Sequence, residues 1–173
     1  MLRSATTVAA AMALLSANQV QAAATTCMTQ GEVRGMVAYV MPSAMGALIE
    51  HCRPALKSNA AMLTRGPKIV SELQSGQAAA FPMARQAFAK FSGADNSATA
   101  DLFTTMPEST LKPIIEGTMS KELVANVQVK NCADIDRVFG TLQPLPASNF
   151  VDLITQVLSI AARDDHKLPI CAD

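Results

Sequence analysis

The segment NFVDLITQVLSIAAR, residues 149–163, repeats its apolar side chains with the spacing of an α-helix. Polar residues fill the positions between them, so one side of the predicted helix is apolar and the other is polar. Such a helix packs its apolar side against a core, and the segment therefore predicts a helical protein. The predicted core-facing residues are Phe150, Leu153, Ile154, Val157, Leu158 and Ala161.

The same spacing recurs near the start of the chain, after a signal for a helix start. Thr29 is followed by Glu32, which matches the capping box, in which each side chain bonds to the other residue's backbone N–H group. Pro42 lacks the N–H group that a helix interior needs, so we expect it to end this first helix. The sequence thus predicts an antiparallel pair of helices over residues 29–40 and 43–52.

Prolines near helix starts and glycines near helix ends divide the remainder of the chain. Pro54 and Pro67 each precede a segment that a glycine closes, at Gly66 and Gly76 respectively. Residues 92–99 are rich in Gly, Asp, Asn and Ser and are the best candidate for a hinge. Further helices are predicted over residues 78–91, 98–105, 109–116, 120–128 and 132–142. We therefore predict an all-α fold, a compact bundle of about seven to nine helices.

Residues 1–22 have the three parts of a cleavable export signal in the expected order. Arg3 gives a basic start, residues 5–17 are apolar and rich in Ala, and small residues precede cleavage after Ala22 or, nearly as well, Ala24. The apolar part is well short of the ~20 residues that cross a bilayer, so an uncleaved anchor is disfavoured. An Ala-rich signal is typical of bacteria and predicts a periplasmic or secreted protein.

The mature chain, residues 23–173, has the size of a single domain, roughly 150 residues. Polar residues interrupt its apolar runs, so no membrane span is expected. Residues 23–92 carry seven Lys and Arg against three Glu, whereas residues 93–173 carry six against eleven acidic residues. We expect the two halves to neutralise each other locally. Because no basic run is interleaved with aromatic residues, nucleic acid is disfavoured as a partner.

The four cysteines, Cys27, Cys52, Cys132 and Cys171, all follow the predicted signal and are expected to form two disulfides. If the first two helices form a hairpin, Cys52 returns to Cys27, and a second hairpin near the C-terminus returns Cys171 to Cys132. We therefore predict the pairs Cys27–Cys52 and Cys132–Cys171. The nested alternative, Cys27–Cys171 with Cys52–Cys132, would join the two termini as in saposin-like proteins, whose chains are shorter and richer in cysteine.

Candidate catalytic residues are few. His166 lies beside Asp164 and Asp165, which could orient its imidazole as a general base. However, a cationic residue just after a helix also complements the helix dipole, which is a structural reason for its presence. The chain has no G-x-S-x-G elbow. No catalytic residue is predicted, and the protein is not expected to be an enzyme.

Metal-ligating patterns are equally weak. The chain contains no C-x-x-C pair of the kind that holds zinc. Met36, Met41, Met45 and His51 contain atoms that copper prefers, but methionines at helical spacing are usually core residues. We therefore predict no metal site and no cofactor.

The lack of a catalytic constellation, together with the two expected disulfides, favours a binding role. The first hypothesis is an exported, non-catalytic helical protein that binds a protein partner. The second is a carrier of a small apolar molecule, because a core rich in Ala and Met and poor in aromatic residues could leave a cavity between its helices. The third is a small hydrolase that uses His166 with Asp164 or Asp165.

Overall fold

The computed structural model describes residues 27–93, 96–142, 144–162 and 169–171, which include six α-helices. These are α1 (Gln30–Cys52), α2 (Ala61–Ser92), α3 (Ser97–Thr105), α4 (Glu108–Ala125), α5 (Cys132–Leu142) and α6 (Ala147–Ala161). Two short 3-10 helices, Arg53–Ala55 and Val129–Asn131, precede α2 and α5. The all-α prediction is confirmed.

Helix α1 lies at the centre of the bundle. It packs along α2 and also contacts α4 and α6. The buried side chain of Tyr39 donates a hydrogen bond from its hydroxyl to Glu116 Oε1 of α4, at 2.7 Å. Burial raises the pKa of Tyr39 above its usual range, and the contact with Glu116 raises it further, so the phenol stays protonated and remains a donor. This bond fixes the position of α1 against α4.

Pro42 does not end the first helix, contrary to the prediction, because α1 continues through it to Cys52. A proline cannot donate to the carbonyl one turn earlier, which weakens the helix at that point by about 3 kcal/mol. Side chains bond to nearby carbonyls instead: Gln77 Nε2 of α2 donates to Tyr39 O at 2.9 Å, and Ser43 Oγ donates to Val40 O at 2.9 Å. Since Pro42 itself is buried, packing of α1 outweighs the local cost.

The prediction that Gly66 and Gly76 end helices is also wrong, because α2 runs without interruption past both residues. Gly66 is buried, and a Cβ atom added there would fall on the side chain of Ile49 in α1. The glycine therefore allows two helices to approach each other rather than ending one. The helices predicted between residues 109 and 128 are likewise one helix, α4. These mergers make the number of helices in the described residues smaller than predicted.

Helix α6 has the predicted apolar stripe, but only part of that stripe faces the core. Phe150 is buried, whereas Leu153 and Val157 are 37% and 52% exposed. The buried side is shifted and includes Thr155 and Ser159. Their hydroxyls donate to carbonyls one turn earlier, at 2.7 and 2.9 Å, so both groups can be buried with their hydrogen bonds made.

The cysteines form two disulfides, but the predicted pairing is wrong. Cys27 bonds to Cys171 and Cys52 bonds to Cys132, which is the nested arrangement. The pairing error follows from the helix break that was expected at Pro42. Because α1 continues through Pro42 and does not turn back, Cys27 and Cys52 lie at opposite ends of a helix of 23 residues. Such a helix is about 35 Å long, far beyond the reach of a disulfide. Cys52 instead meets Cys132 at the start of α5.

Several predictions concern residues outside the described ranges. The export signal, residues 1–22, lies wholly outside them, as do residues 94–95 of the predicted hinge. The signal, the hinge and the single-domain boundary stay predictions. Across the described ranges, no helix has both the length and the apolar character needed to cross a bilayer.

Candidate ligand pocket

An apolar pocket of about 310 Å³ lies against α1. The capping box predicted from Thr29 and Glu32 is present at the start of this helix, where each side chain accepts a hydrogen bond from the other residue's backbone N–H group. From there, side chains at helical spacing line one wall of the pocket. They are Val33, Met36, Val37, Val40, Met41 and Ala44.

The other walls come from segments distant in sequence. Met119 and Leu123 of α4 lie one helical turn apart, and Ile154 and Leu158 of α6 do the same. Phe91 contributes from the end of α2. Every residue that lines the pocket is apolar, so its walls offer a ligand dispersion contacts and no polar side chain.

Four of the lining side chains are methionines, Met28, Met36, Met41 and Met119. Methionine is unbranched and its thioether is polarizable, so it adapts to irregular neighbours. Ala44 adds a short side chain where a longer one would reduce the volume. The side chains of the pocket wall can therefore adapt to the shape of a ligand at a small cost in free energy.

The mouth of the pocket is marked by two exposed apolar side chains. Phe91 is 39% exposed and Leu123 is 53% exposed, although both line the pocket. Another concavity, between α1 and α2, has a volume of about 480 Å³ and includes Arg34 and Glu72 among its lining residues. The pocket against α1 differs from it in having a wholly apolar wall.

The two ends of the described chain form one side of the pocket. Met28 and Ile170 both line it, and each is adjacent to a cysteine of the Cys27–Cys171 disulfide. The two segments also pair as a parallel bridge: Met28 N donates to Pro169 O at 2.6 Å, and Cys171 N donates to Met28 O at 2.9 Å. We call residues 27–28 with 169–171 the terminal clasp.

A partly buried ion pair anchors the first half of the terminal clasp. Lys90 Nζ of α2 donates to Glu32 Oε2 at 2.8 Å and to Cys27 O at 3.0 Å. Burial alone would raise the pKa of Glu32, but the hydrogen bonds from Lys90 and from Thr29 outweigh it, and the net pKa is lowered. Glu32 is thus held as a carboxylate, and the ion pair joins α1, α2 and Cys27.

The candidate residues from the sequence analysis lie at different places relative to the pocket. Cys27 and Cys171 border the pocket, whereas Cys52 and Cys132 form a disulfide between the ends of α1 and α5. His166, Asp164 and Asp165 lie outside the described residues, so the hydrolase hypothesis is not tested.

Two of the three methionines considered for copper lie in the pocket lining, which contains no histidine. Met36 and Met41 line the pocket, while His51 Nε2 lies 3.0 Å from Val127 O. Among the described residues, no group of three or more His, Cys, Asp and Glu side chains is placed to hold a metal ion.

Sequence reasoning suggested a cavity between helices but could not locate it. The lining combines Met28 and Ile170, near the two ends of the described residues, with residues of four helices, and their proximity depends on the tertiary fold. The one local signal was that Met28 and Ile170 are each next to a cysteine. This signal places the two residues near each other only if Cys27 pairs with Cys171, as in the nested arrangement.

Comparison of the chain with protein-family models, with curated proteins and with solved structures finds no match. The class of protein is therefore given by the structure itself, as an all-α bundle with two nested disulfides and an apolar pocket.

Proposed function

We propose that this protein is an exported, non-catalytic binding protein that carries a small apolar molecule. The observation that carries the proposal is the pocket of about 310 Å³ with a wholly apolar lining. Small-molecule sites typically begin at about 300 Å³. Apolar cavities of about half that volume stay dry and bind small hydrocarbons. The carrier hypothesis is therefore favoured over the protein partner that the sequence suggested first.

The lining defines the chemistry of the ligand. A polar group placed deep in the pocket would lose its hydrogen bonds to water and find no polar side chain in exchange. The bound part of the ligand is therefore hydrocarbon, and any polar group it has stays at the mouth beside Phe91 and Leu123. The four methionines let the pocket accept several shapes, so we expect moderate selectivity among apolar molecules.

Export is supported by two features of different kinds. The sequence of residues 1–22 has the composition of a signal peptide. The described structure contains two disulfides, and such bonds persist mainly in oxidising compartments. A carrier in the periplasm or outside the cell would move an apolar molecule through water, where its free concentration is low.

A charge placed at the mouth of the pocket should weaken binding. We expect Leu123→Asp to raise the dissociation constant of an apolar fluorescent probe, N-phenylnaphthylamine, by about tenfold, because the carboxylate must be desolvated when the ligand enters. Leu102→Asp is the matched control: Leu102 is 55% exposed, close to the 53% of Leu123, but it does not line the pocket.

The measurement is a fluorescence titration of the wild type and both variants. Leu102→Asp should stay within about twofold of the wild type, since its charge lies in solvent in both states. A wild type that does not bind the probe, or an equal loss in both variants, would contradict the proposal.

A further inference from the structure

The two disulfides differ in their exposure to solvent. Cys52 and Cys132 are 0% exposed, whereas Cys27 and Cys171 are only partly buried. Reduction begins when a thiolate attacks a disulfide sulfur, so a reductant must have access to that sulfur. Because Cys27 and Cys171 are the more exposed pair, we expect an external reductant to react with their disulfide first.

The accessible disulfide also holds part of the pocket wall in place. Met28 and Ile170 are each adjacent to one of its cysteines, and both line the pocket. The two halves of the terminal clasp are anchored differently. On the first half, Lys90 bonds to the Cys27 carbonyl and to Glu32, which lies in α1.

The second half, residues 169–171, is joined to the first by the disulfide and by the two backbone hydrogen bonds of the clasp. Ile170 also packs against the hydrophobic core. Without the covalent bond, an isolated two-bond bridge is a weak connection. Loss of the disulfide would thus leave residues 169–171 retained by these two hydrogen bonds and the core packing of Ile170, whereas the first half keeps the anchor that Lys90 provides.

We infer that the Cys27–Cys171 disulfide is a redox-sensitive closure of the apolar pocket, and that its reduction by a dithiol accelerates release of the bound molecule. This inference rests on the proposed function. It adds redox control of ligand release: the ligand is retained under oxidising conditions and released when a dithiol reduces the disulfide.

The chemistry is a thiol–disulfide exchange. One thiolate of the reductant attacks Cys27 or Cys171, the bond between their sulfur atoms breaks, and a mixed disulfide forms. The second thiolate of the reductant then displaces the protein sulfur. The reductant leaves as a disulfide, having given up two electrons, and the two cysteines take up two protons and become thiols.

The test uses oxidised protein loaded with N-phenylnaphthylamine and treated with graded dithiothreitol. Free thiols are labelled with iodoacetamide and located by peptide mapping, and the probe dissociation rate is measured on the same samples. We expect labels on Cys27 and Cys171 before any on Cys52 or Cys132. At that stage, the dissociation rate should be at least about tenfold higher.

Cys27→Ser/Cys171→Ser is the matched variant, and it should release the probe at the faster rate with and without dithiothreitol. Equal reactivity of the two disulfides, or an unchanged dissociation rate in protein reduced only at Cys27 and Cys171, would overturn the inference. If the oxidised protein binds no probe, the proposed function fails. Amide hydrogen exchange at Met28 and Cys171 then still reports on the clasp, and protection that is unchanged after reduction overturns its opening.

Discussion

Gly35→Ala should destabilise the protein by about 2 kcal/mol, although alanine is the better helix former by about 1 kcal/mol. Gly35 lies where α1 and α2 are in close contact. A Cβ atom added there would overlap the Cβ atom of Met83 and lie 3.3 Å from the backbone nitrogen of Ala84. Because backbone cannot move as a side-chain end does, the two helices would have to separate.

Gly46→Ala is the matched control on the same helix. A Cβ atom added at Gly46 meets no atom within 4 Å. The substitution should therefore stabilise the protein by about 0.5 to 1 kcal/mol through helix propensity alone. Urea unfolding of the two variants measures both effects. Equal stability of the two variants would show that α1 and α2 are not in close contact at Gly35.

Removal of the buried disulfide should strongly destabilise the protein. In the chain-entropy model, a bond across the 80 residues between Cys52 and Cys132 contributes about 4.5 kcal/mol. We expect Cys52→Ala/Cys132→Ala to lose about this amount in urea unfolding. The cost also includes the space left by two sulfur atoms at positions that are 0% exposed.

The single variant Cys52→Ala tests the pairing independently of stability. In the nested arrangement it releases a thiol at Cys132, whereas in the arrangement predicted from sequence it would release a thiol at Cys27. Iodoacetamide labelling of the denatured, unreduced variant identifies the free cysteine. A label on Cys27 would contradict the structure.

The features that the sequence predicted correctly depend on local interactions. The helical class follows from apolar spacing, and the cap formed by Thr29 and Glu32 follows from two side chains three positions apart. The boundary between α2 and α3 falls within residues 92–99, the segment singled out for its Gly, Asp, Asn and Ser content, because Gly and Asn stop and start helices through local bonds.

The features that the sequence did not predict depend on packing. Pro42, Gly66 and Gly76 are helix breakers by propensity, yet α1 and α2 run through them. For Pro42 and Gly66, burial against a neighbouring helix outweighs a local cost of a few kcal/mol, and a single sequence does not show which neighbour is present. The wrong disulfide pairing then followed from the wrong break at Pro42.

The candidate site shows the same limit. An Ala-rich and Met-rich composition indicated that a cavity could exist, but its walls combine Met28, Met119 and Ile170 from distant parts of the chain. Placing them together requires the order in which the helices pack around α1. Composition could therefore suggest the kind of ligand, but not the residues that contact it.

The central claim is that an apolar molecule binds in the pocket against α1, and methionine methyl NMR tests it directly. With methyl-labelled methionine, added N-phenylnaphthylamine should shift the signals of Met28, Met36, Met41 and Met119, which line the pocket. Met83, which is 46% exposed and lies outside the pocket lining, should not shift. Shifts at Met83 with none at the four pocket methionines would contradict the account.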